Sequence, residues 1–194
     1  MVTREQQAIA ETVDAVGARQ PRPSLGAIWR ALAEVRDPEV PVVSVLDLGI
    51  VRAAEWDALD PTLLVMRITP TYSGCPATDV IAQTIREQLL ALGVPGVRID
   101  TVLSPAWSTQ FLTPEAQRQL RAYGIAPPGA ARPAATPIVD VRGLSPLRRP
   151  GEVVACPRCG SLDTELVSRF GSTSCKAQYR CRECLEPFDF FKPL

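Results

Sequence analysis

Two C-x-x-C pairs, Cys156-Pro157-Arg158-Cys159 and Cys181-Arg182-Glu183-Cys184, constrain this chain more than any other feature. Each pair can hold two thiolates on one tight turn. The 21 residues between Cys159 and Cys181 suit a short β-hairpin that carries the second turn back to the first. Four thiolates at this spacing read as a tetrahedral zinc ribbon with an all-cysteine ligand set. Two disulfides in a secreted protein are the alternative. Against them, the first 30 residues carry Glu5, Glu11 and Asp14 and no apolar segment, so no export signal is expected. Nor does any apolar run approach the roughly 18 residues of a membrane span. A cytoplasmic location is therefore expected, where thiols stay reduced and bind metal or react.

Two absences narrow the chemistry. The chain contains no histidine, which removes Ser-His-Asp and Cys-His catalysis and di-iron sites of the Glu-x-x-His type. It also lacks a Walker run and a G-x-G-x-x-G turn, so nucleotide hydrolysis and dinucleotide redox chemistry lose their usual residues. An enzyme acting alone is not expected. Net charge is zero, and residues 151–194 balance 6 Lys/Arg against 6 Asp/Glu. A ribbon that grips nucleic acid should present a basic face, so nucleic acid is not the expected partner.

Along the chain the residues divide into four stretches. Residues 1–23 end in Gln20-Pro21-Arg22-Pro23 and read as an N-terminal arm. Residues 24–125 read as an α/β domain. Ser24 is a plausible cap for a helix running to Val35, and strands follow at 50–56 and 62–69. Ile81, Ile85, Leu89 and Leu92 mark a helix over 76–92 with Pro76 in its first turn, and a third strand follows at 97–103. The second strand, this helix and the third strand make a βαβ unit. A last helix is expected at 113–122. The fold class is thus a small α/β sheet with packed helices, followed by a zinc ribbon. Residues 126–150, with six prolines, read as a linker, and residues 151–194 form the ribbon, folded by its metal.

Cys75, in Thr71-Tyr72-Ser73-Gly74-Cys75-Pro76, is expected at the N-cap of the best helix, in a loop leaving the C-terminal end of a strand. Ligands gather at such strand ends, and the free N–H groups of a helix start favour an anion. The plain alternative is a packed capping cysteine. Asp37, Glu39 and Asp47 are loop acids that either line a site with Cys75 or cap turns, and Thr71 is a further candidate neighbour. Cys175 reads as a spare packed thiol, a substitute zinc ligand or a redox partner of the ribbon. Trp107 reads as a recognition aromatic or a core ring.

At these residues a resemblance enters. Asp37-Pro38-Glu39-Val40-Pro41, Asp47-Leu48-Gly49-Ile50-Val51 and Thr69-Pro70-Thr71 leading to Gly74-Cys75-Pro76 resemble the small α/β domain of the SufT-like iron–sulfur assembly factors. Three further stretches widen the match: Ser104-Pro105-Ala106-Trp107, Tyr123-Gly124-Ile125-Ala126-Pro127-Pro128, and the tail from Phe170 to Phe188. With them the chain is similar, from about Leu25 onward, to the accessory D-type subunits of multicomponent phenylacetyl-CoA epoxidases. The resemblance implies an accessory role in aerobic phenylacetate catabolism. Partner subunits would supply the di-iron oxygenase and a flavin and iron–sulfur reductase, and this chain would help mature their metal centres, with the Fe–S assembly machinery as a further partner. It implies that Cys75 handles iron or an Fe–S cluster transiently, across a homodimer if one thiolate does not suffice. The competing expectation is a structural subunit that docks oxygenase to reductase and transfers no metal.

Overall fold

Local capping chemistry starts the first module. In a computed structural model, which describes residues 22–129 and 154–193, the Ser24 Oγ accepts the Ala27 N–H at 3.2 Å and opens helix α1, Leu25–Ala33. Helix α1 buries Ile28 and Leu32. The loop after it is held down by Val40, Val43, Val45 and Leu48, all buried. Strand β1, Val51–Trp56, then pairs antiparallel with β2, Leu63–Ile68. Between them, Asp57 Oδ1 accepts the N–H groups of Leu59 and Asp60 at 2.8 and 3.0 Å, an aspartate-stabilised turn.

Helix α2, Ala77–Ala91, buries Ala77, Ile81, Ile85 and Leu89 along one face, the periodicity its sequence shows. It leads to β3, Gly96–Thr101, which lies parallel to β2 with Leu64 opposite Val97 and Met66 opposite Ile99. The sheet order is β1-β2-β3, and the βαβ unit is present. The third strand stops short of the expected residue 103. Val102 still donates to Ile68 O at 2.8 Å, but β2 ends there, because Pro70 has no N–H with which to extend the ladder. Helix α3, Pro114–Tyr123, opens at Thr113 and closes on Gly124 at φ 95°, one of the few conformations that favour glycine.

The chain leaves α3 directly into a strand of the second module. Strand β4, Ile125–Ala126, runs parallel to β7, Pro187–Phe191, and the four-stranded order is β4-β7-β6-β5. The other two strands are β5, Thr164–Ser168, and β6, Lys176–Cys181, with antiparallel pairs β5–β6 and β6–β7. Ala126, Val154, Tyr179, Phe188 and Phe190 fill the ribbon's own small core. Phe191 and Cys175, by contrast, pack into the core of the first module. Trp107 is buried in that core, donates its indole N–H to Leu48 O at 2.8 Å and lies 6.0 Å from the Phe191 ring. It is a core ring. The expected arm (apart from residues 22 and 23) and residues 130–150 of the expected linker lie outside the described residues.

Candidate functional site

Two thiol sites stand at opposite ends of β6. At its C-terminal end the C-x-x-C turns face each other. Gly160, at φ 79°, donates to Cys156 O at 2.9 Å, and Cys181 N–H donates to Glu186 O at 3.0 Å, so both turns are closed by backbone. The four Sγ atoms of Cys156, Cys159, Cys181 and Cys184 all lie within 4.8 Å of one another. Cys156 and Cys184 are 3.7 Å apart, and Cys159 and Cys181 3.6 Å. Metal–sulfur bonds of about 2.3 Å in a tetrahedron place neighbouring sulfurs roughly 3.8 Å apart, so the set fits one four-coordinate ion. A disulfide needs about 2.05 Å, and all six cysteines are free. The backbone N–H groups of Cys184 and Glu183 draw the Cys181 thiol down to about 7. Cys184 also receives an N–H, from Glu186, yet desolvation and its three sulfur neighbours push it up to about 12. Four crowded thiols do not ionise together without a cation.

Cys175 takes no part in that set. Cys181 of the far turn lies six residues further along β6, a rise of about 20 Å at 3.3 Å per residue, so Cys175 cannot substitute for a ribbon ligand. It lines a small cavity of about 20 Å³ instead. Cys75, Asp37, Glu39, Thr71 and Phe191 line the same cavity. The site therefore lies between the modules, with the loop before α2 on one side and the loop before β6 on the other. Tyr72 is hydrogen-bonded to the Ser174 side chain and ties these loops together. Desolvation pushes the Tyr72 hydroxyl up, and Cys75, Glu39 and Cys175 add to the rise.

Each expected site residue has a definite place. Pro76 is the N-cap of α2 and no side chain caps it, so Cys75 sits one residue before the cap rather than at it as expected. Gly74 precedes it at φ 89°, and Cys75 N–H donates to Tyr72 O at 3.2 Å, which turns the thiol toward the cavity wall rather than the helix axis. Asp37 is 7% exposed, and its Oδ1 accepts from both Glu39 and Val40 N–H at 2.8 Å. Burial raises its pKa against these two bonds and the nearby Lys176. Glu39 is half-buried, and its Oε2 lies 3.8 Å from Cys175 Sγ. Asp47 is not among the lining residues. It accepts from Ser44 Oγ at 2.7 Å and Thr113 Oγ1 at 3.1 Å, and so fastens the loop before β1 to the start of α3.

The residues that sequence reasoning left out come from the second module. Lys176, one of only two lysines, is 4% exposed, with its Nζ 3.8 Å from Asp189 Oδ2. Burial pushes the Cys175 thiol up, as does Glu39, while Thr173 and Lys176 act the other way. No spacing in the chain joins Cys175 to Cys75. Tertiary packing alone brings them to one cavity. Their one sequence signal is that both stand in loops of small polar residues just before a regular element.

Comparison with known proteins matches two separate parts of the chain. Residues 26–103 match the family described as iron-sulfur cluster assembly protein, and residues 144–192 match the PaaD zinc beta ribbon domain. The chain is 42% identical over 175 residues to an Escherichia coli (strain K12) protein provisionally described as the D component of 1,2-phenylacetyl-CoA epoxidase. That match covers 88% of this chain and 93% of the relative. The first module is 35% identical over 94 residues to an Fe-S protein maturation auxiliary factor of Porphyromonas gingivalis, covering 48% of this chain and 87% of that one. Among solved structures, a DUF59 domain from Bacillus anthracis matches with TM-score 0.45 and 26% identity, over 49% of this chain and 89% of its own.

Proposed function

The chain belongs to the PaaD family, and from that premise we propose that it is a non-catalytic accessory subunit of a phenylacetyl-CoA epoxidase, maturing the iron or iron–sulfur centre of an oxygenase or reductase partner. The observation that carries this reading is Cys75 in the loop after β2, on the wall of a small cavity that Glu39 also lines. A thiol placed there lies where ligands gather at the ends of strands, in a cavity with room for one water-sized body. Without histidine the chain lacks the residues of a Glu-x-x-His di-iron centre, so the iron it handles would be delivered to another protein.

In the same reading Cys156, Cys159, Cys181 and Cys184 hold one zinc ion, whose ligand shell is full and whose role is to fold the ribbon. No helix among the described residues is long and apolar enough to cross a membrane. The partners would be the epoxidase subunits themselves, with Fe–S assembly proteins as the source of cargo.

Co-expression of a Cys75→Ser variant with the epoxidase subunits tests the reading. The variant is expected to fold and keep one zinc, while iron per client subunit falls several-fold by elemental analysis. A fully metallated client would overturn the maturation role. A second reading, a docking subunit with no metal transfer, is favoured by the exposed Leu166, Val167 and Phe170 on one stretch of the ribbon. It expects full client metallation with Cys75→Ser and a stable stoichiometric complex on size exclusion.

A further inference from the structure

The ribbon sheet has two edges, and they are finished differently. Strand β4 is two residues long and both are buried, so it offers no length for a further strand. Strand β5 forms the other edge, and no described strand pairs with its outer side. It carries neither lysine nor proline, the residues that commonly blunt an edge. Its one charged side chain, Glu165, is engaged within the chain by Arg182 Nε and Nη2 at 3.2 and 3.0 Å. The register with β6 slips between Leu166 and Ser168, and both Leu166 and Val167 are exposed there. Such a bulge shortens the ladder an edge can form, but it puts a valine on this edge and no charge.

The stretch around this edge is complementary to itself. Leu162, Leu166, Val167 and Phe170 are between 47% and 69% exposed. Lys192 Nζ lies 4.9 Å from the centre of the Phe170 ring and still leaves that residue the most exposed of the four. Run antiparallel against a second copy and centred on Leu166, the stretch places Asp163 opposite Arg169, Thr164 opposite Ser168 and Leu162 opposite Phe170. A two-fold axis makes each of these contacts twice. Arg169 has no ion-pair partner among the described residues. Asp163 lies 3.7 Å from Arg182, which Glu165 already holds at 3.0 Å. Opposite charges facing across an antiparallel pair attract, and like charges repel. A slip of one residue either way sets Asp163 against Ser168 or Phe170 instead, so the charges select one register.

We propose that this edge is an interface between two copies of the chain. Strand β5 pairs antiparallel with β5 of a second copy about a two-fold at Leu166, and two four-stranded sheets become one. An isologous contact of this kind closes at two chains and leaves no edge for a third. The exposed leucines, valine and phenylalanine would also suit a client subunit, but the self-complementary charges favour the second copy. Five strand residues and their flanks bury less than a standard interface of about 1,600 Å², so a reversible, micromolar dimer is expected. The interface does not depend on what Cys75 handles.

The test is sedimentation equilibrium of the full zinc-loaded chain across a range of micromolar concentrations. Wild type is expected to pass from one chain to two, and no further. Val167→Lys puts a charge on the edge and is expected to weaken association about ten-fold. Arg169→Glu sets acid against acid at both ends of the pair and is expected to weaken it several-fold. Asp163→Arg combined with Arg169→Glu exchanges the charges in both copies and should recover most of that loss. All three positions are exposed, and retained zinc identifies folded variants. If one variant loses its zinc, the others decide. A single chain at every concentration, a mass rising past two chains, or a dimer indifferent to both Val167→Lys and Arg169→Glu would each overturn the proposal. So would a charge exchange that recovers nothing. A chain that stays single alone but binds an epoxidase subunit, and loses it with Val167→Lys, gives the edge to a client and also overturns the dimer. Client iron in Cys75→Ser is read separately, so failure of this interface leaves the maturation role standing.

Discussion

Asp37 sets two demands against each other. Its Oδ1 organises the turn after α1 by accepting two backbone N–H groups, yet burial raises its pKa above the ordinary value of 3.8. A raised folded value means that the protonated form is favoured in the folded protein, and that stability is lost as pH rises through that value. Asp37→Asn keeps an oxygen for both N–H groups and removes the charge. Urea unfolding is therefore expected to find it at least as stable as wild type at pH 7, with the difference shrinking as pH falls toward 3.8. A sharp loss of stability at pH 7 would mean that the Lys176 attraction outweighs burial. The sequence shows Asp37 and Glu39 as loop acids but cannot separate their roles. That needs the knowledge that one oxygen is committed to backbone while the Glu39 oxygen faces a sulfur 136 positions away.

At the level of elements, most of the first module was legible because its helices and strands carry their own punctuation. Ser24 and Thr113 cap helices, Asp57 folds the hairpin turn, and Gly124 ends α3. What spacing could not show is where an element's end is anchored. Thr113 Oγ1 accepts the Ala116 N–H at 3.0 Å and also contacts Asp47 Oδ1, and Thr113 N–H donates to Asp47 O at 3.0 Å. Asp47 read from sequence looks like a free loop acid because its long-range partner, Thr113, lies 66 residues on. Thr113→Ala removes both the cap and the side-chain tie and is expected to cost about 1–2 kcal/mol in urea unfolding, the range of a lost N-cap. Thr113→Ser should recover most of it. If Ala and Thr prove equal, the cap contributes nothing measurable.

For the molecule as a whole, the four-cysteine ribbon was readable from two short motifs, whereas its union with the first module was not. That union depends on β4 adding to the ribbon sheet and on Phe191 packing beside Trp107, contacts between residues far apart in the chain. Stripping the ribbon metal with a strong chelator should therefore disturb both modules. Cys75 is expected to react with a maleimide several-fold faster in the stripped protein, with a parallel change in tryptophan fluorescence. An unchanged Cys75 rate would mean that the modules fold independently.

The same union sets an order in time. Phe191, which helps wall the cavity, follows Cys75 by 116 residues. At the pace of synthesis, about 5–20 residues per second, Cys75 leaves the ribosome's active centre about 6–23 s before Phe191 is made. During that interval the first half of the site is an open, single thiol with neither Cys175 nor Phe191 beside it. A nascent chain thus presents that sulfur before the cavity it will line has been built.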